Sequence, residues 1–269
     1  MIYDYHVHTN HSFDSRAVMS DVCAEAVERG LQEICFTEHY AVNPVLPTYG
    51  HLDFTQYLAE IERCKQQYEG KLIIKAGIEL CEPHYMQTQY EEALAHQPLD
   101  FILGSVHNMN ERKLRLFLAQ EGIDHYELYF REVLQMVQHA DIDIIAHLDL
   151  LKRYAVGTIG NYKLSDYHDV IEAILQTAIT RHIGIEINTS GWRGGAGEPF
   201  PSKEVLQLYR QMGGELLTIG SDSHFVEHTG AEISDAIQLA KECGFKAIYT
   251  YNQRQPQAVA LDEYYLDKK

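Results

Sequence analysis

Apolar positions along the chain follow two alternating rhythms. Short, almost continuously apolar runs occur at 2–8 (IYDYHVH), 33–39 (EICFTEH), 72–80 (LIIKAGIEL), 101–107 (FILGSVH), 142–149 (IDIIAHLD), 183–190 (IGIEINTS) and 216–224 (LLTIGSDSH), with an eighth at 246–251 (KAIYTY). Each reads as a strand buried on both faces. Between them lie stretches with apolar residues every three to four positions: 20–30, 55–70, 165–182 and 202–214. These predict helices, each opened by a hydroxyl at the N-cap (Ser20, Thr55, Ser165, Ser202) and several closed by glycine. Strand–helix alternation over 269 residues predicts an α/β fold, a parallel sheet closed or nearly closed into a single barrel over 1–269.

The first run adds a question to that outline. In YDYHVH, aromatic or apolar Tyr3, Tyr5 and Val7 alternate with polar Asp4, His6 and His8. Residues two apart on a strand face the same side, so His6 and His8 point together, as two ligands of one metal would. The competing reading, a strand with one wet face, is decided by the other strand ends. Those finish at His39, Glu79, His107, His147 and then Asp222 and His224, although histidine fills only 15 of 269 positions. In a βα barrel these ends converge on one rim. Imidazoles mixed with carboxylates, without cysteine, suit Zn, Mn or Fe better than Ca or Mg. With Asp14 in the first loop, the candidates exceed what one ion needs and match two or three divalent ions.

Composition narrows the function classes. Apolar residues make up 45% of the chain, enough for a sizeable core. No apolar run approaches the length of a membrane span, and the first strand begins without a preceding signal-like segment. The five cysteines (Cys23, Cys35, Cys64, Cys81, Cys243) form no CxxC pair and read as thiols of a reducing cytoplasm. A formal charge of −17 argues against nucleic-acid or anionic-membrane partners. It leaves room for a small anionic substrate, because bound cations invert the potential locally. Oligomeric state is not legible.

The motifs HVHTNHSFD, ICFTEH, GIEL, GSVH, IIAHLD and GSDSH, in that order, resemble the polymerase and histidinol phosphatase superfamily, and most closely its stand-alone histidinol-phosphate phosphatases. The resemblance implies a distorted TIM-like (β/α)7 barrel with the metal site at the C-terminal rim. It implies one ion on His6, His8, Glu79 and Asp222, and a second sharing Glu79 and adding His107 and His147. A third would sit on Asp14, His39 and His224; many relatives have histidine where this chain has Asp14. Glu38, adjacent to His39, reads as a hydrogen-bond partner behind the ligands. The implied enzyme is a histidinol-phosphatase of histidine biosynthesis, in which a hydroxide bridging two ions attacks the phosphate of L-histidinol phosphate. Asp222, His224 and the bridging Glu79 are the catalytic candidates.

Substrate contacts are read from the loops. Arg193, in the glycine-rich TSGWRGGAGEPFPS, could fork onto phosphate oxygens. Arg153 follows the fifth strand, and His84 follows GIELCEP. Trp192 either shelters a ring or packs its loop; Asn188 either faces substrate or is structural; His11 is read as outside the metal site. Other readings are a nucleotide or phosphotyrosine-protein phosphatase, an amidohydrolase-type C–N or C–O hydrolase, or a degenerate, non-catalytic metal-binding barrel.

Overall fold

A computed structural model of the chain describes residues 2–261. The seven leading apolar runs become seven parallel strands: β1 (Ile2–Val7), β2 (Leu31–Tyr40), β3 (Ile73–Cys81), β4 (Phe101–Ser105), β5 (Ile144–Ile145), β6 (Gly184–Asn188) and β7 (Leu217–Gly220). They are neighbours in chain order across one sheet, every pairing parallel. A parallel bridge between Val7 and Ser223 brings the last strand back to the first. Backbone bonds from His8 to Ser223 (2.8 Å) and from Asp222 to His6 (2.7 Å) complete the closure. This is the expected (β/α)7 barrel. Its strands are buried on both faces, which is why most are almost continuously apolar and why the polar residues that alternate on β1 and β6 are buried as well.

Helices α1 (Met19–Glu28), α2 (Phe54–Gln67), α3 (Gln87–Leu94), α4 (His125–His139), α5 (His168–Thr180), α6 (Lys203–Gln211) and α7 (Ile233–Glu242) accompany the strands. Each buries one stripe; on α2 it is Tyr57, Ile61 and Cys64, spaced by helical turns. Their starts differ from the hydroxyl caps expected. Ser20 and Thr55 lie inside their helices, and Ser165 sits in a 3₁₀ turn ahead of α5. Ser202 occupies the N-cap of α6, but its side chain caps nothing. The side-chain caps on α2 and α4 are carboxylates, Asp53 accepting from the Gln56 amide and Asp124 from the Glu127 amide, both at 3.1 Å. An anionic acceptor is the stronger partner for an exposed amide at the positive end of a helix.

The eighth run is not a barrel strand. Residues Ala247–Asn252 (β8) pair antiparallel with Gln255–Ala260 (β9). This hairpin stops the N-terminal mouth of the barrel. The Tyr251 amide donates to Tyr5 Oη (2.8 Å), and Arg254 reaches Asp141 (2.7 Å) and Asp143 (3.0 Å) just ahead of β5. With that end plugged, chemistry is confined to the opposite rim.

Candidate metal centre

Five of the seven strands end earlier than their apolar runs, β2 and β3 being the exceptions. Only β2 and β3 carry their candidates, His39 and Glu79, within the ladder; His6 stands next to last in β1. His8, His107, His147, Asp222 and His224 all follow the last paired residue of their strands. The chain turns sharply there: His147 and Asp222 have φ of 23° and 52°, in the left-handed region where non-glycine residues carry strain. Those turns swing the side chains over the barrel mouth.

All nine candidates meet there, with Glu79 in the middle. Its Oε2 lies 3.3 Å from His6 Nε2, 3.5 Å from His8 Nε2 and 2.9 Å from His39 Nδ1. Its Oε1 lies 2.9 Å from His147 Nε2 and 3.5 Å from His107 Nε2. Asp222 Oδ1 is 3.5–3.7 Å from nitrogens of His6, His8 and His224. Asp14 Oδ2 is 3.5 Å from His39 and 3.4 Å from His224.

Both Glu79 carboxylate oxygens, His6 Nε2, His8 Nε2 and His39 Nδ1 are buried with no hydrogen-bond partner. Unpaired polar atoms in such density are costly unless something cationic satisfies them. His8, His39 and His224 offer nitrogens within 4.8 Å of one another, as do the donor atoms of His6, His8 and Asp222, and of His6, Glu79 and His147. The donor set is therefore one that fits divalent ions.

The protonation of Glu79, His8 and His107 supports the same fit. Burial opposes ionisation of Glu79, but His39, His6 and His107 outweigh it and hold the carboxyl well below its usual range. Burial, then the neighbouring His39 and His224, keep the His8 imidazole neutral. Burial takes His107 down to about 3. Neutral rings and ionised carboxylates are the forms that bind metals.

A layer of hydrogen bonds aims the rings, and most of it was invisible in the sequence. His6 Nδ1 donates to Glu186 Oε1 (2.7 Å); Glu186 also accepts from the His147 amide (2.9 Å) and from Asn188 (3.1 Å). His8 Nδ1 meets Ser12 Oγ (3.1 Å), whose hydroxyl donates to Glu38, so Glu38 stands behind His8 through a serine. His107 Nδ1 donates to Ser105 Oγ (3.1 Å), and His224 Nδ1 to the Asp222 carbonyl (3.1 Å). In all four, a proton on Nδ1 turns the Nε2 lone pair inward. Glu82 receives the His107 and Asn108 amides, and burial pushes its carboxyl up to about 7. Glu186 and Asn188 sat two apart on a strand otherwise apolar, the one signal for an inward polar pair; Ser12 and Glu82 offered none. Asn188 is structural: fully buried, it binds Glu186 and Ser190.

Above the centre opens a cleft of about 410 Å³ whose walls include Asp14, His39, His107, Arg153, Asp222 and His224. Arg153 donates to Asp222 Oδ2 and Ser190 Oγ, each at 2.6 Å. Beside it, fully buried Lys152 bridges Asp149 (2.8 Å) and Glu198 (2.9 Å) and fixes the turn that carries Arg153. Arg193 does not reach the cleft. Its guanidinium is bound to Glu232, Thr189 and the Ser221 carbonyl, so its donors are already committed to holding its own loop. The loop glycines serve the same local purpose: a Cβ on Gly191 would lie 2.2 Å from the Glu198 carbonyl oxygen. His84 is also elsewhere, with Nε2 on Glu132 at 2.7 Å. Trp192 packs on the core and His11 binds Glu60 (2.7 Å), so neither joins the centre. Two cations on the cleft wall, Lys113 and Arg115, were missed, though RKLR at 112–115 is a dense basic run in an acidic chain.

Fold and site together define an α/β barrel with a histidine–carboxylate centre at the C-terminal rim. Residues 4–190 match the PHP domain model, and the chain belongs to that family. It is 28% identical over 258 residues to a protein of Lactococcus lactis subsp. lactis named histidinol-phosphatase, covering 93% of this chain and 94% of that one. A Clostridium acetobutylicum protein named "Probable histidinol-phosphatase" is 28% identical over 260 residues, covering 93% and 96%. Among solved structures, the histidinol phosphate phosphatase of L. lactis, complexed with zinc, L-histidinol and phosphate, superposes with a TM-score of 0.86 at 26% identity, over 95% of this chain and 98% of that one.

Proposed function

We propose that the chain, as one barrel unit, is a metal-dependent phosphomonoesterase that hydrolyses L-histidinol phosphate to L-histidinol and phosphate. The observation that carries this reading is Glu79: a fully buried carboxylate with no hydrogen-bond donor of its own, ringed by five imidazoles. The near full-length similarity to proteins named for that activity supports the choice of substrate.

His6, His8, Glu79 and Asp222 would hold one ion, Glu79, His107 and His147 a second, and Asp14, His39 and His224 a third. The donor types suit Zn, Mn or Fe. Divalent ions held there supply Lewis acidity toward phosphate oxygens and lower the pKa of coordinated water. The protein's own groups do the rest. Arg153 faces the cleft and offers its remaining donors to the phosphoryl group. It also fixes Asp222 through Oδ2, leaving Oδ1 toward the histidines. Asp222 and His224, both on the cleft wall, are the groups placed to move a proton between the attacking water and the leaving oxygen. The cleft suits a small-molecule ester. A cytoplasmic setting fits five buried free thiols, and no helix among the described residues is long and apolar enough to cross a membrane.

Phosphate release from L-histidinol phosphate and p-nitrophenyl phosphate, after loading with Zn or Mn, tests the reading. A kcat/KM about a hundredfold higher for L-histidinol phosphate is expected of a matched site. Equal, feeble rates on both would remove the named substrate, and no turnover with full metal content would remove the phosphatase.

A further inference from the structure

The cleft wall contains charges that the phosphoryl chemistry does not use. Three of the chain's 22 Lys and Arg residues stand within positions 112–115, and two of them, Lys113 and Arg115, line the cleft. Both side chains are exposed, and neither has an acidic partner among the described residues. The nearest acid in the same hairpin, Glu111, is turned toward Asn43 (3.3 Å). The carboxylates on the cleft wall are Asp14, engaged with His39 and His224, and Asp222, engaged with the histidines and with Arg153.

The backbone under these cations is anchored. Asn108–Met109 pairs antiparallel with Arg112–Lys113, Lys113 opposite Asn108 and one residue from His107. Glu82 receives the Asn108 amide (2.8 Å) and its side-chain amide (3.1 Å). Leu114 and Phe117 are buried, and the Leu114 amide donates to the His107 carbonyl (3.3 Å). Lys113 and Arg115 therefore flank a buried leucine and are presented at the rim, close to the reacting centre, without touching its nine residues. In a chain of net charge −17, unpaired cations at such a position attract anions.

From this we infer that the outer cleft is a second anion subsite, and that the enzyme accepts phosphomonoesters whose alcohol carries a carboxylate or second phosphate a few bonds from the ester. The inference rests on reading the inner site as a phosphomonoesterase but not on L-histidinol as the alcohol. Arg153 and the ions that the histidines and carboxylates would hold receive the phosphoryl group; Lys113 and Arg115 take the second anion. In the reaction, the water oxygen bonds to phosphorus and the bond from phosphorus to the ester oxygen breaks. That oxygen leaves with the electron pair and takes the proton that the water loses; nothing is oxidised or reduced.

Calorimetric titration of the metal-loaded protein with 3-phosphonopropionate and with propylphosphonate isolates the carboxylate without turnover. The carboxylate-bearing ligand is expected to bind about tenfold tighter, and K113Q/R115Q to bring the ratio to within about twofold, since the contrast is electrostatic. The same ratio is read in kcat/KM for 3-phosphoglycerate against glycerol 3-phosphate. A wild-type ratio near one, or a ratio that survives K113Q/R115Q, overturns the subsite. Turnover of L-histidinol phosphate without any carboxylate preference would leave the proposed function standing and remove this inference. Carboxylate-dependent binding without turnover of any ester would leave the anion-binding subsite standing but remove the phosphomonoesterase reading, and with it the ester preference.

Discussion

His6 and Glu186 form a buried pair in which the imidazole Nδ1 donates to the carboxylate at 2.7 Å, leaving Nε2 directed at Glu79 and Asp222. A carboxylate behind a ligand histidine fixes the tautomer and raises the basicity of the coordinating nitrogen. Glu186→Gln keeps the shape but weakens that acceptor. It is expected to lower metal affinity by about tenfold to a hundredfold. Competition with a chromophoric chelator measures this, and wild-type affinity would remove Glu186 from the assembly.

Gly220 lies against the same pair. A Cβ there would stand 2.3 Å from both Glu186 Oε1 and the His6 Cβ. Neither neighbour is free to move, so Gly220→Ala is expected to cost about 2–4 kcal/mol of stability as an overpacked core site, and to lower metal content with it. Urea unfolding and metal analysis on one preparation give both numbers. Unchanged stability would mean that β1 and β6 can separate at little cost.

The two arginines separate by role. Arg153→Ala is expected to reduce kcat/KM for phosphomonoesters by about a hundredfold, because a charge-assisted contact to phosphate and the restraint on Asp222 are lost together. Arg193→Ala is expected to leave KM alone and to destabilise the protein by about 1–2 kcal/mol, the value of its partly exposed hydrogen bonds. Steady-state kinetics beside thermal unfolding distinguish them. A raised KM in the Arg193 variant would reverse the assignment.

Metal binding is expected to release protons. Burial opposes a charge on His6, but Glu186, Glu79 and Asp222 prevail and raise its pKa well above the ordinary value. For His39, Glu79 and Asp14 likewise overcome burial. Both rings are therefore cationic at neutral pH when no ion is bound, and each must lose one of its two protons to ligate. Affinity then rises with pH and falls on acidification. Titration calorimetry in two buffers of different ionisation enthalpy should show about one to two protons released per protein. Heats independent of buffer would show neutral rings in the metal-free protein.

The barrel and the gathering of histidines and carboxylates at its rim were legible because two local signals are strong. Near-continuous apolar runs mark strands buried on both faces, and polar residues at their C-terminal ends have only the rim to go to. By itself the sequence determined the strand order, the parallel sheet and the eight residues that gather around Glu79. It did not determine which way a loop side chain turns. Arg193 and Arg153 look alike in sequence, and only the packed loops show that Glu232 and the Ser221 carbonyl hold the first while Asp222 draws the second into the cleft. Glu186, Ser12 and Glu82 matter through partners 180, 4 and 25 residues away, at His6, His8 and His107. Hydrogen bonds are short-ranged and directional, so the tertiary structure alone decided which polar groups aim the ligands and which merely hold the chain.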